Sequence, residues 1–158
     1  MDVLSANRID FGWIPEESMS YKYGTGGITK LVYVIDDHPS VRAAVKKTLE
    51  WEGYPVEVFE NGEELFEAIS VCLPDLILLD MFMPEPDGFE VLRKIKDKGL
   101  SIPIIAMSGG GPMPIADIFE ISRWLGVKRT LAKPFGRRDL VDAVEGCLLG
   151  IPDKHREE

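Results

Sequence analysis

From Lys30 onward, five short apolar runs alternate with five longer segments in which apolar residues recur every three or four positions, and few folds are compatible with that alternation. The runs are Leu31-Val32-Tyr33-Val34-Ile35, Val56-Glu57-Val58-Phe59 (weaker, because it alternates), Leu76-Ile77-Leu78-Leu79, Ile102-Pro103-Ile104-Ile105-Ala106-Met107 and Thr130-Leu131-Ala132. Between and after them come helical stripes. Val41, Val45 and Leu49 form the first, opened by Pro39-Ser40 and stopped by Gly53; Leu65, Phe66 and Ile69 the second. Phe89, Leu92 and Ile95 form the third, closing at Gly99. Ile118, Ile121 and Leu125 are expected to face inward on the fourth, and Leu140, Val144, Cys147 and Leu148 on the last. Runs that are apolar throughout, rather than at every second residue, predict strands buried on both faces. The expected architecture is therefore α/β, a doubly wound parallel sheet covered by helices on both sides.

Nothing in the composition argues against such a domain. A length of 158 residues holds one domain with modest tails. With 27 acidic against 18 basic residues the net charge is -9, which repels phosphate backbones and anionic lipid. Short basic patches such as Lys46-Lys47 and Arg137-Arg138 read as a solvated helix face and a helix end, so neither nucleic acid nor membrane is expected as a partner. No apolar run nears the ~20 residues a membrane span needs, and the first residues lack the pattern of a secretory leader; the expected compartment is the cytoplasm. Cys72 and Cys147 lie in apolar stretches without metal-like spacing and are expected to be buried, reduced thiols.

The polar residues that end the predicted strands are the chemically informative ones. Asp36 and Asp37 follow the first strand, Asp80 the third, Ser108 the fourth and Lys133 the fifth. Ligands of open α/β sheets bind beyond the carboxyl ends of the strands. If the first and third strands are neighbours, three carboxylates share one pocket, and their mutual repulsion calls for a cation. Oxygen ligands suit magnesium, which keeps waters and phosphate oxygens in its shell. Lys133 adds a point charge suited to phosphate, and Ser108 a hydroxyl donor. In such a site a carboxylate can attack phosphorus while cationic groups offset the oxygen charge. A paired acid after a strand is often only a helix cap, and Lys-Pro-Phe alone only a turn; their joint placement on four of five strand ends favours the functional reading.

Asp36-Asp37, Leu79-Asp80-Met81-Phe82-Met83-Pro84 with Asp87-Gly88, Ser108, and Lys133-Pro134-Phe135 resemble the receiver domains of two-component response regulators over residues 30–150. The resemblance implies a flavodoxin-like (βα)5 domain with strand order 2-1-3-4-5. It implies Asp80 as phospho-acceptor, and magnesium held by Asp36, Asp37, Asp80 and the backbone carbonyl of Phe82. Ser108 and Lys133 would contact the phosphoryl oxygens, with a cis bond before Pro134. A sensor histidine kinase or histidine phosphotransfer protein would be the donor, and a downstream protein the partner of the phosphorylated form. Such a domain is a stand-alone signalling switch rather than an enzyme, catalysing only its own phosphorylation and dephosphorylation. One alternative is a phosphohydrolase with Asp80 as nucleophile, which would need an acid two residues later where this chain has Phe82. The other is an inactive receiver-like scaffold, which the full set of pocket residues disfavours. The family often carries an aromatic switch residue three positions before the lysine, but here that residue is Thr130.

Residues 1–29 are expected to form an N-terminal extension and residues 151–158 a charged tail. Phe11, Trp13, Tyr21 and Tyr23 leave open a flexible leader or one that packs on the domain or a partner. Gly24 to Lys30 lacks the glycine–lysine–hydroxyl spacing of a phosphate loop and reads as a linker. Gly109-Gly110-Gly111-Pro112-Met113-Pro114 is either a long tolerated loop or a mobile lid. Phe119 and Trp124 flank the fourth helix's stripe, either as half-buried rings or as anchors for a homodimer or partner. His38 is expected to be a loop residue beside the pocket.

Overall fold

The computed structural model describes residues 23–24, 27–28, 30–109 and 111–152. The expectations for the aromatic leader, Gly110 and the last six residues of the tail fall outside them. Where a linker is expected, Tyr23–Gly24 and Gly27–Ile28 pair as a two-rung antiparallel hairpin.

The ten expected elements are all present. They run β1 (Val32–Ile35), α1 (Pro39–Trp51), β2 (Val56–Phe59), α2 (Gly62–Val71), β3 (Leu76–Asp80), α3 (Gly88–Asp97), β4 (Ile104–Ser108), α4 (Ile115–Trp124), β5 (Arg129–Ala132) and α5 (Arg137–Leu148). All four strand pairings are parallel, in the order β2-β1-β3-β4-β5. This is the expected 2-1-3-4-5 doubly wound sheet. β4 starts two residues later than its apolar run because Pro103 has no amide to donate; its carbonyl instead accepts from Ile77 N at 3.0 Å.

Successive strand residues point to opposite faces, so each strand feeds two cores. Tyr33, Ile35, Ile77, Leu79, Ile104 and Ala106 pack under α2, α3 and α4 through Leu65, Ile69, Val91, Leu92, Ile95 and Ile118. Val32, Val34, Leu76, Leu78, Ile105 and Met107 pack under α1 and α5 through Val45, Leu49, Leu140 and Val144. Cys72 adjoins the first core and Cys147 the second, on opposite sides of the sheet; both are half-buried rather than fully buried, because each sits at the end of its helix.

Two expectations for α4 are corrected. Ile121 is 41% exposed rather than inward, and Trp124 is 84% exposed rather than half-buried. At 3.6 residues per turn, Ser122 and Ile121 flank the line of Ile118 and Leu125 about equally, roughly 50° to either side, and it is the Ser122 side that turns to the core. Ser122 is fully buried there because its hydroxyl donates to the carbonyl of Ile118 at 2.6 Å. Trp124 falls about a third of a turn off that line, whereas Phe119 is half-buried as expected.

Candidate functional site

Crossing from β1 to β3 reverses the winding of the sheet and opens a crevice at their carboxyl ends. Ile35 pairs with Leu79, so Asp36 and Asp80 leave the sheet side by side. Both are buried, and Asp37 is partly exposed at the rim. The loop after Asp80 folds back on it: Phe82 N donates to Asp80 Oδ1 at 3.1 Å, and Met81 N to the Met107 carbonyl at 2.9 Å. Gly88 permits this path, since a Cβ there would lie 2.5 Å from Met81 Cα and 2.6 Å from the Asp80 carbonyl oxygen. Asp87 is used locally, its carboxylate accepting from Glu90 N at 3.0 Å to cap α3.

Lys133 reaches the crevice from β5. Its Nζ lies 2.5 Å from Asp36 Oδ2 and 3.5 Å from Asp80 Oδ2. Its backbone amide donates to the Ser108 carbonyl at 2.8 Å, fastening the lysine's start to the end of β4. The Lys133–Pro134 bond is cis. Ser108 is fully buried one position beyond Met107, which pairs with Asp80. The structure thus brings Asp36, Asp37, Asp80 and Lys133 into one pocket, with Ser108 at the adjacent strand end. For Phe82 it is the backbone amide that makes the recorded contact with Asp80.

Burial pushes the Asp80 carboxyl up to about 7; the negative charge of Asp36 adds to the rise, and Lys133 and the Phe82 amide oppose it. One ammonium serves three carboxylates. Asp37 Oδ1, Asp80 Oδ2 and Ser108 Oγ are buried without hydrogen-bond partners among the described residues. Ligand atoms of Asp36, Asp37, His38 and Asp80 lie within 4.8 Å of one another. Unpartnered buried oxygens and excess negative charge fit a hard divalent cation such as magnesium.

Three features were not legible in the sequence. Arg42 on α1 donates to the Asp36 carbonyl at 2.7 Å, and only its place one turn into the helix hinted at it. Gly111 lies against the Phe82 ring, where a Cβ would meet ring carbons at 2.8 Å. His38 turns its ring into the carboxylate cluster, with Nδ1 3.3 Å from Asp36 Oδ1 and 3.0 Å from Asp37 Oδ1.

The chain matches the family model described as the response regulator receiver domain over residues 32–145. It is 32% identical over 117 residues to sporulation initiation phosphotransferase F of Bacillus subtilis, covering 74% of this chain and 92% of that protein. It is 35% identical over 119 residues to response regulator MprA of Mycolicibacterium vanbaalenii, again over 74% of this chain, but spans only 49% of MprA. Among solved structures, chemotaxis protein CheY4 of Vibrio cholerae superposes with a TM-score of 0.69 at 26% identity, over 76% of this chain and 99% of that one. With the sheet order, the acidic crevice and these matches together, the chain belongs to the response-regulator receiver family.

Proposed function

We propose that Asp80 accepts a phosphoryl group and that the modified domain signals by changing what it binds. Receiver domains are signalling domains that bind magnesium in an acidic pocket and interact with histidine kinases or phosphotransfer proteins. The observation carrying the assignment to Asp80 is its Oδ2, buried and without a hydrogen-bond partner, yet 3.5 Å from the Lys133 ammonium. In the step proposed, that oxygen attacks phosphorus, the bond from phosphorus to the donor atom breaks, and the donor leaves with the electron pair. Asp36, Asp37 and Asp80, with the Phe82 carbonyl, would hold magnesium, which supplies charge neutralisation for the phosphoryl oxygens. Lys133 would move from Asp36 to the new phosphate, and Ser108 would donate its hydroxyl to it. An apolar groove of about 440 Å³ between α1 and the start of α5, lined by Val41, Ala44, Phe135 and Leu140, adjoins Lys133. A donor protein reaching Asp80 would rest there.

The test is intact-mass spectrometry after incubation with acetyl phosphate or phosphoramidate. A single phosphoadduct is expected with magnesium, and none in excess chelator or in Asp80→Asn. An adduct persisting in either control overturns the assignment.

A further inference from the structure

His38 occupies the position that caps α1, yet its side chain accepts no hydrogen bond from the helix. It is 64% exposed, so core packing does not hold it either. The ring instead leans inward over the carboxylates, and the backbone amide of the same residue donates to Asp36 Oδ1 at 2.9 Å. Its Nδ1 stands 3.0 Å from Asp37 Oδ1, an oxygen that takes no hydrogen bond despite that approach, and shares a hydrogen bond of 3.3 Å with Asp36 Oδ1. Two donor atoms bound to one ion at about 2.1 Å are roughly 3.0 Å apart at octahedral angles and roughly 3.4 Å at tetrahedral ones. Both separations fall in that window. Asp80, whose Oδ2 is buried and unpartnered, belongs to the same cluster.

We propose that His38 adds an imidazole nitrogen to the acidic pocket, making it a mixed nitrogen–oxygen site for divalent transition ions of the cobalt, nickel and zinc class. This rests on the reading of Asp36, Asp37 and Asp80 as cation ligands. Magnesium, which prefers oxygen, would use the carboxylates and gain little from the ring. Ions that favour imidazole would gain a further bond and compete for the same pocket. Exposure of His38 lets the ring adjust to an incoming ion without disturbing the core.

Cobalt(II) titrations read by visible absorption, and magnesium titrations read by calorimetry, test this on the full chain. Wild type is compared with His38→Ala, His38→Asn and Asp37→Asn. Both His38 variants are expected to bind cobalt about tenfold or more weakly than wild type, with a changed d–d band, while their magnesium affinity stays within about twofold. Asp37→Asn should weaken both ions. Unchanged cobalt affinity in the His38 variants overturns the proposal, as does a parallel loss of magnesium, which would show His38 acting through the carboxylates. Wild type failing to bind either ion would instead remove the cation reading itself, and this proposal with it.

Discussion

At the residue scale, Asp80 and Lys133 carry opposite energetic signs. Asp80 is raised from an unfolded value near 4 to about 7, so between those pH values the folded protein binds more protons than the unfolded one. Stability of the metal-free protein should therefore fall as pH rises from about 4 to about 7 and level off above. Asp80→Asn removes that loss. In chelator at pH 7.5 the variant should be more stable than wild type, by on the order of 1–3 kcal/mol, and the advantage should vanish at pH 4. Thermal melts at the two pH values check this; equal gains at both would mean that ionisation is not the cause. Lys133 offsets the charge of Asp36 and Asp80 from 2.5 and 3.5 Å. Lys133→Ala should leave magnesium affinity intact or slightly tighter, since a competing cation is gone, while weakening the response to phosphorylation. A calorimetric titration showing lost magnesium binding in a folded Lys133→Ala protein would contradict that role.

At the element scale, the path out of the site runs along β4 and the loop behind it. Thr130, half-buried on β5 opposite Ala106, has no ring to rotate. Gly111 lies against the Phe82 ring, and the Phe82 amide holds Asp80 Oδ1, so one rigid ring links the loop to the carboxylate. A phosphoryl group that draws in Ser108 would move the loop from both ends, and the start of α4 with it. Beryllofluoride should therefore alter hydrogen exchange most in residues 108–125 and much less in residues 128–132, and Ser108→Ala should lose most of the change. A response centred on residues 128–132 would contradict this route. The helix stripes were largely legible before the structure, because local periodicity sets which side of a helix is apolar. α4 shows the limit: a buried serine that bonds its own helix carbonyl displaces Ile121 from the core, and composition ranks those two residues the other way.

For the whole molecule, two cores back the five-stranded sheet, and among the described residues several long-range interactions close it. Arg129 binds the Ile151 carbonyl, Arg137 pairs with Glu52 across α5 and α1, and Asp75 Oδ2 accepts from Leu31 N at 2.8 Å at the start of β1. A fragment of residues 30–152 should therefore unfold in one cooperative transition, within a few degrees of the full chain, and bind magnesium equally well. Calorimetry of the two proteins checks it; a fragment that melts broadly or far lower would show that the removed residues, 1–29 or 153–158, belong to the folding unit.

Much of this was determined by the sequence alone. Continuous apolar runs demanded a doubly covered parallel sheet, and the polar residues ending those runs had to collect at one edge of it, so strand position put Asp36, Asp37, Asp80, Ser108 and Lys133 on that edge, while the order that makes the first and third strands neighbours came from the resemblance to receiver domains. Only the tertiary structure decided that Lys133 contacts Asp36 more closely than Asp80 and that Gly88 must lack a side chain beside Met81. It also decided that His38 leaves its helix uncapped to face the carboxylates. The physical reason is the range of the forces involved. Periodicity and strand ends are set by backbone geometry over a few residues. A lysine 97 positions from its partner carboxylate is placed only when packing of the intervening elements brings β1 and β5 to their final separation.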